Sequence, residues 1–123
     1  MDFPENEANE TYKKIIDQLV NETTSSISAR LVRQESIYSR SLDAGEENKF
    51  VSGLKESDRE ILARMLEEER KAAIHDVLAD FTWWIDAQNV EWSVNGTKMK
   101  VDLSGMGLHG DYIGRLDDWE WPD

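Results

Sequence analysis

The stretch from Ser57 to about Ala87, SDREILARMLEEERKAAIHDVLADFTWWIDA, constrains the fold most. No Gly or Pro interrupts it. Its apolar residues (Ile61, Leu62, Met65, Leu66, Ala73, Ile74, Val77, Leu78, Phe81, Trp84 and Ile85) keep three-or-four spacing throughout, the pattern of an amphipathic helix. Ser57 and Glu60 fit a capping box, in which the hydroxyl accepts from an early N–H and the carboxylate reaches back to the cap. Asp58 and Glu60 place negative charge at the positive end of the helix dipole. Asn89 suits the position just past the end.

Turning each residue by about 100° separates two faces on this helix. The first-half stripe centres on Ile61, Leu62 and Met65. The second centres on Val77, Phe81 and Ile85, rotated around the axis. Ala72, Ala79 and Trp83 lie off it, beside His75. A helix apolar on two sides touches two neighbours, which predicts a central helix. Helix 1 is expected along the Ile61–Leu66 and Val77–Ile85 stripes, and a hairpin or tail over Ala72, His75, Ala79 and Trp83.

Upstream, residues 1–8 are expected to fray, with a helix start at Pro4 or around Asn6 and Asn9. Tyr12, Ile15, Ile16, Leu19, Val20, Thr23, Ile27 and Leu31 then make a second amphipathic stripe. Thr23 to Ser26 have poor helix propensity, but the stripe keeps its phase across them, which predicts one helix to about Glu35. Glu46 to Gly53 reads as a short connecting helix that Gly53 ends.

After Asn89 the period changes to two. Asn95-Gly96 between alternating segments is the strongest short-range hairpin signal. It predicts strands Val90–Val94 and Thr97–Leu103. A two-residue turn sets Val94 opposite Thr97, Trp92 opposite Met99 and Val90 opposite Val101. Ser93 then meets Lys98, and Glu91 meets Lys100 as an opposite-charge pair. The apolar pattern requires the same register independently. The tail carries four of the seven glycines and reads as irregular but ordered. Its Met106, Leu108, Tyr112, Ile113, Leu116, Trp119 and Trp121 are too apolar for a disordered end. Trp119-Glu120-Trp121 alternates and suits a third strand or a staple that closes the core; the functional reading is a docking peptide for a basic, groove-bearing partner. The whole is an α+β chain of one domain, residues 1–123: two long helices, a short connecting helix, and a C-terminal hairpin with an ordered tail.

Composition excludes several function classes. There is no cysteine, hence no disulfide, thiolate nucleophile or Cys-ligated zinc. The formal net charge of −12 disfavours nucleic acid and anionic membranes and favours a basic protein partner. No apolar run approaches the roughly 20 residues of a membrane span. The acidic, polar start lacks the basic and apolar regions of a signal peptide, which gives a cytoplasmic expectation. A homodimer through the helix 1 stripe is a further expectation, since that helix is long for a chain of this size.

Gly105-x-Gly107-x-x-Gly110 fits GxGxxG and follows a strand. A dinucleotide site, however, needs a helix, a parallel strand and an acidic residue about 20 positions on. The preceding strand belongs to an antiparallel hairpin, so a tight chain path explains the glycines better. His75, Asp76 and Asp80, with His109 and Asp111, form a metal-like collection suited to zinc, iron or manganese. Asp76 and Asp80 share a helix face, while His75 lies about 100° away from Asp76. A site would need His109 or Asp111 folded over the helix. In the competing reading His75 anchors the tail, and His109 and Asp111 satisfy turn backbone. The expectation is therefore no catalytic, cofactor-binding or metal residue, and a non-enzymatic protein-binding module with an acidic surface. A toxin-neutralising, immunity-like protein is one version of it. The alternative is a small metal-dependent enzyme using His75, His109 and Asp111 between the central helix and the Gly-rich tail. Glu67 is expected to pair with Lys71, and Arg70 with an acid from helix 1 or the tail.

The run Glu68-Glu69-Arg70, Ala73-Ile74-His75-Asp76-Val77-Leu78 and Trp83-Trp84 is followed by VDLSGMGLHGDY at residues 101–112 and by Trp119-Glu120-Trp121-Pro122. It resembles a small family of uncharacterised bacterial proteins, a domain of unknown function, over roughly residues 57–123. The resemblance implies a bacterial, soluble protein and carries no activity or site residues.

Overall fold

The computed structural model describes residues 3–23 and 26–122, and over these the chain is α+β. The order is α1 (Phe3–Thr23), α2 (Ile27–Glu35), α3 (Gly45–Ser52), α4 (Glu56–Ala87), β1 (Ser93–Val94), β2 (Thr97–Lys98) and α5 (Gly107–Leu116). Contacts divide the chain into two compact units. One takes residues up to 21 and from 73 onward, the other residues 22–72.

In the first unit, α1 begins at Phe3, with Pro4 in its first turn where a missing N–H costs nothing. Met1 and Asp2, within the segment expected to fray, lie outside the described residues. Ala8, Tyr12 and Ile16 of α1 bury against Leu78 and Ile85 of α4, Met99, and Leu108 and Tyr112 of α5. Each large side chain so buried contributes about 1.5–3 kcal/mol. Of the stripe proposed for self-association, Tyr12 and Ile16 are buried in this unit and Ile15, Leu19 and Val20 partly so, whereas Ile27 is exposed.

The hairpin has the expected register. Ser93 pairs with Lys98 and Val94 with Thr97, and Met99 N donates to Trp92 O at 2.9 Å. Asn95 (φ 49°) and Gly96 (φ 82°) supply the positive φ of a type I′ turn. The ladder is shorter than the expected strands, because its flanks are engaged elsewhere. Asn89, at φ 57°, turns the chain so that Val90 N bonds back to Trp84 O at 3.2 Å. On the other side Lys100 O accepts from Trp92 Nε1 at 3.1 Å. Among the described residues, Glu91 and Lys100 form no ion pair.

The tail is not irregular throughout: residues 107–116 form α5. Gly107 enters it at φ 83°, and the Asp102 carboxylate accepts from Gly105 N (3.0 Å) and Gly107 N (3.1 Å). Gly114 lets Trp119 lie on the helix, since a Cβ there would stand 3.2 Å from Trp119 Cε3. Trp119-Glu120-Trp121 adds no strand. Trp121 is half-buried against the core and donates from Nε1 to Asp17 Oδ2 at 3.1 Å. Arg115 stacks over its ring at 5.2 Å and pairs with Asp17 at 2.7 Å. This is the staple reading.

In the second unit, Ala29 and Val32 of α2, Val51 of α3 and Ala63 of α4 form a small core, with Leu62 and Leu66 packed on it. Helix 1 is not continuous to Glu35. Ser26 is extended (φ −61°, ψ 113°) and its hydroxyl accepts from Ala29 N at 3.1 Å, so it caps a separate α2. Thr24 and Ser25, at the expected weak point, lie outside the described residues. The start of α4 also differs. Arg59 N bonds to Lys55 O at 2.9 Å, so the helix opens ahead of Ser57 and the capping box is not used. Glu60 instead accepts from Arg33 Nε at 2.9 Å, and Glu67 from Arg33 Nη2 at 2.8 Å. Lys71 therefore pairs with Glu68, at 3.7 Å, rather than with Glu67. Arg70 meets the acid of helix 1 as expected, reaching Glu22 O at 2.6 Å and its carboxylate at 3.5 Å.

Candidate functional site

The most unusual surface lies on the second half of α4. Ile74, Leu78 and Ile85 face the core of their unit. The expected stripe of Val77, Phe81 and Ile85 splits: Ile85 is buried, while Val77 and Phe81 are 54% and 55% exposed. The helix has two apolar sides there, and the centred stripe averaged them. Ala73, Val77, Phe81 and Trp84 follow one another at three-or-four spacing and make one continuous outer face. Trp84 is 50% exposed, and Trp83, expected under the tail, is exposed as well. Leu19 of α1 and Ala73, Ile74, Val77, Leu78 and Phe81 of α4 line a cavity of about 330 Å³ at this face, with apolar side chains alone. Asp80 stands between Val77 and Trp84 on the helix, and Asp76 one turn before it; both are exposed. The face is thus an apolar strip edged by carboxylates.

The residues of the metal alternative are only partly brought together. His75 of α4 and His109 of α5 meet with ring centres 5.2 Å apart and planes at 86°. His75 Nδ1 lies 3.1 Å from Asp76 Oδ1. His109 Nδ1 is buried and without a hydrogen-bond partner among the described residues. Asp111 is elsewhere. It is fully buried and accepts from the Tyr12 hydroxyl, from Leu103 N at 2.7 Å and from Ser104 N at 3.0 Å. Burial first, and then this hydrogen bond, hold the Tyr12 hydroxyl well above the ordinary tyrosine range. Among the described residues, no group of three or more His, Asp or Glu is arranged to hold a metal ion. The glycine motif is likewise self-satisfied. The N–H groups of Gly105 and Gly107, which a phosphate would need, already donate to Asp102.

Sequence reasoning missed the exposure of Val77 and Phe81. The signal was present in the two-sided apolar pattern of α4, but periodicity alone does not say which side is covered. Among the described residues, no helix is long and apolar enough to cross a membrane. A family model described as "Family of unknown function (DUF6547)" matches residues 5–123, more of the chain than the resemblance covered. No curated protein and no solved structure matches the chain.

Proposed function

The chain belongs to this family of unknown function, and from that premise we propose that it binds a protein partner through the outer face of α4. The carrying observation is the exposed Ala73–Val77–Phe81–Trp84 strip with its all-apolar cavity. Contiguous exposed apolar surface rimmed by polar groups marks interaction sites. Asp76 and Asp80 beside the strip, in a chain of net charge −12, select a basic amphipathic segment. The same charges oppose a second copy of this chain on that face. Neutralisation of a basic toxin, as immunity proteins achieve, is one form such binding takes. The pair His75 and His109 without Asp111 gives less support to a metal-dependent enzyme.

The test is calorimetric titration with an amphipathic lysine–leucine model helix. Micromolar binding is expected, weakening as salt rises and lost in the Val77→Ser/Phe81→Ser variant. That variant should keep its fold, because both side chains are more than half exposed. Absence of binding to the parent protein, or equal binding by the variant, sinks the reading. A dimer in sedimentation that dissolves in the same variant would reassign the face to self-association.

A further inference from the structure

A second site, independent of the α4 face, lies where the loop after α2 crosses α3. Asn48 builds it. Its Oδ1 accepts from Tyr38 N at 2.8 Å and Ser39 N at 3.0 Å, and its Nδ2 donates to Ser39 O at 2.7 Å. These three bonds pin the Tyr38 backbone against α3. On α3, Glu46 and Glu47 sit one turn ahead of Phe50 and Val51, so the four share a face. With Tyr38 and with Leu62 and Leu66 of α4 they line a cavity of about 360 Å³.

Two features of this cavity stand out. Phe50 is 64% exposed although Val51, beside it, is buried. Glu46 and Glu47 are exposed and have no ion-pair partner among the described residues. Their place in the first turn of α3 offsets the helix dipole. That accounts for negative charge there, but not for two aromatic rings on the same cavity.

Rings, carboxylates and an aliphatic floor together match one chemistry. A cation is attracted to an aromatic face, carboxylates supply the counter-charge, and an alkyl stem covers apolar side chains while its charged end stays wet. We propose that this cavity binds an alkylammonium group. Its charged end lies between Phe50, Tyr38 and the two glutamates, and its stem lies on Val51, Leu62 and Leu66. A lysine side chain of a protein and a free aliphatic diamine share this chemistry.

Three probes in an NMR-detected titration test it: N-acetyl-lysine methylamide, cadaverine and the neutral N-acetyl-norleucine methylamide. The Asn48 side-chain amide and the rings of Tyr38 and Phe50 are expected to shift saturably with both cationic probes. Half-saturation should come at severalfold lower concentration than with norleucine, and move upward with salt. Phe50→Ala is expected to weaken the cationic probes about two- to five-fold, Glu47→Gln to weaken them also, and Phe50→Trp to preserve binding. Phe50 is exposed, so its replacement leaves the unit's core intact. Tighter binding of the lysine amide assigns the source to a protein side chain, and tighter binding of cadaverine to a free amine. Equal binding of norleucine, or cationic binding untouched by Phe50→Ala, overturns the proposal.

Discussion

Asp111 shows how a single buried carboxylate can organise a segment without doing chemistry. It gathers the Tyr12 hydroxyl from α1 and two consecutive backbone N–H groups, Leu103 and Ser104, from the chain leading to α5. Removing it takes an acceptor from the buried Tyr12 hydroxyl and from two part-buried N–H groups. A buried donor left unsatisfied costs about 1–3 kcal/mol and a part-buried one less, so Asp111→Ala should destabilise by roughly 2–4 kcal/mol, read from urea unfolding. Tyr12→Phe leaves the two backbone bonds intact and should cost about 1.5–3 kcal/mol, the range for a hydrogen bond to a charged group. The raised Tyr12 hydroxyl has its own sign. Its proton is held more tightly when folded, so the stability it contributes is present below about pH 10, the unfolded tyrosine value, and is lost as pH rises beyond it. In an alkaline titration followed by tyrosinate absorbance, Tyr12 should ionise only together with unfolding. A separate Tyr12 ionisation in the folded protein would contradict its burial.

At the scale of elements, the second unit adds a charged clasp to its small core. Arg33 of α2 reaches across to Glu60 and Glu67, two turns apart on α4. Hydrogen bonds from Arg33 hold both carboxyls below their usual range. Groups depressed in the folded state contribute stability above the unfolded carboxylate value of about 4.3 and lose it as pH falls through the folded values. Stability should therefore fall with acidification below that range, and Arg33→Gln should flatten the fall, as read from urea midpoints at stepped pH. The Glu60 and Glu67 side chains are 49% and 30% exposed, so the effect is modest and salt-sensitive. This clasp also shows what the sequence could and could not disclose. The amphipathic helices and the Asn95-Gly96 register were legible, because period and turn chemistry are local. The position of Arg70 was legible too, from its place on the helix face. The Arg33 clasp was not, since it joins residues far apart in the chain, and it took Glu60 away from the expected capping box. Helix α5 was hidden because Gly110 and Gly114 resemble loop residues, whereas Gly114 serves the close approach of Trp119. Of the candidate site, the meeting of His75 with His109 could be suspected from sequence. The bare faces of Val77, Phe81 and Phe50 could not, because periodicity does not say which apolar side the rest of the chain covers.

For the whole molecule, the acidic balance and the uncovered apolar side chains belong together. A net charge of −12 opposes the approach of like-charged copies at exposed Phe50, Val77, Phe81 and Trp84. The way α5 is started has a different consequence, which concerns time. Met106 offers no side-chain cap to this glycine-bearing helix. Leu108 N is instead satisfied by the Thr82 hydroxyl of α4, at 3.0 Å, and Gly107 N by Asp102. So short a helix, capped by groups outside itself, has little tendency to form alone. It should condense last, onto an α4 already in place. Kinetic traces would register this as an asymmetry. Truncating Leu108 or Ile113 should accelerate unfolding while leaving the refolding rate nearly unchanged, a φ-value close to zero. Truncating Leu78, on the surface that receives α5, should slow refolding.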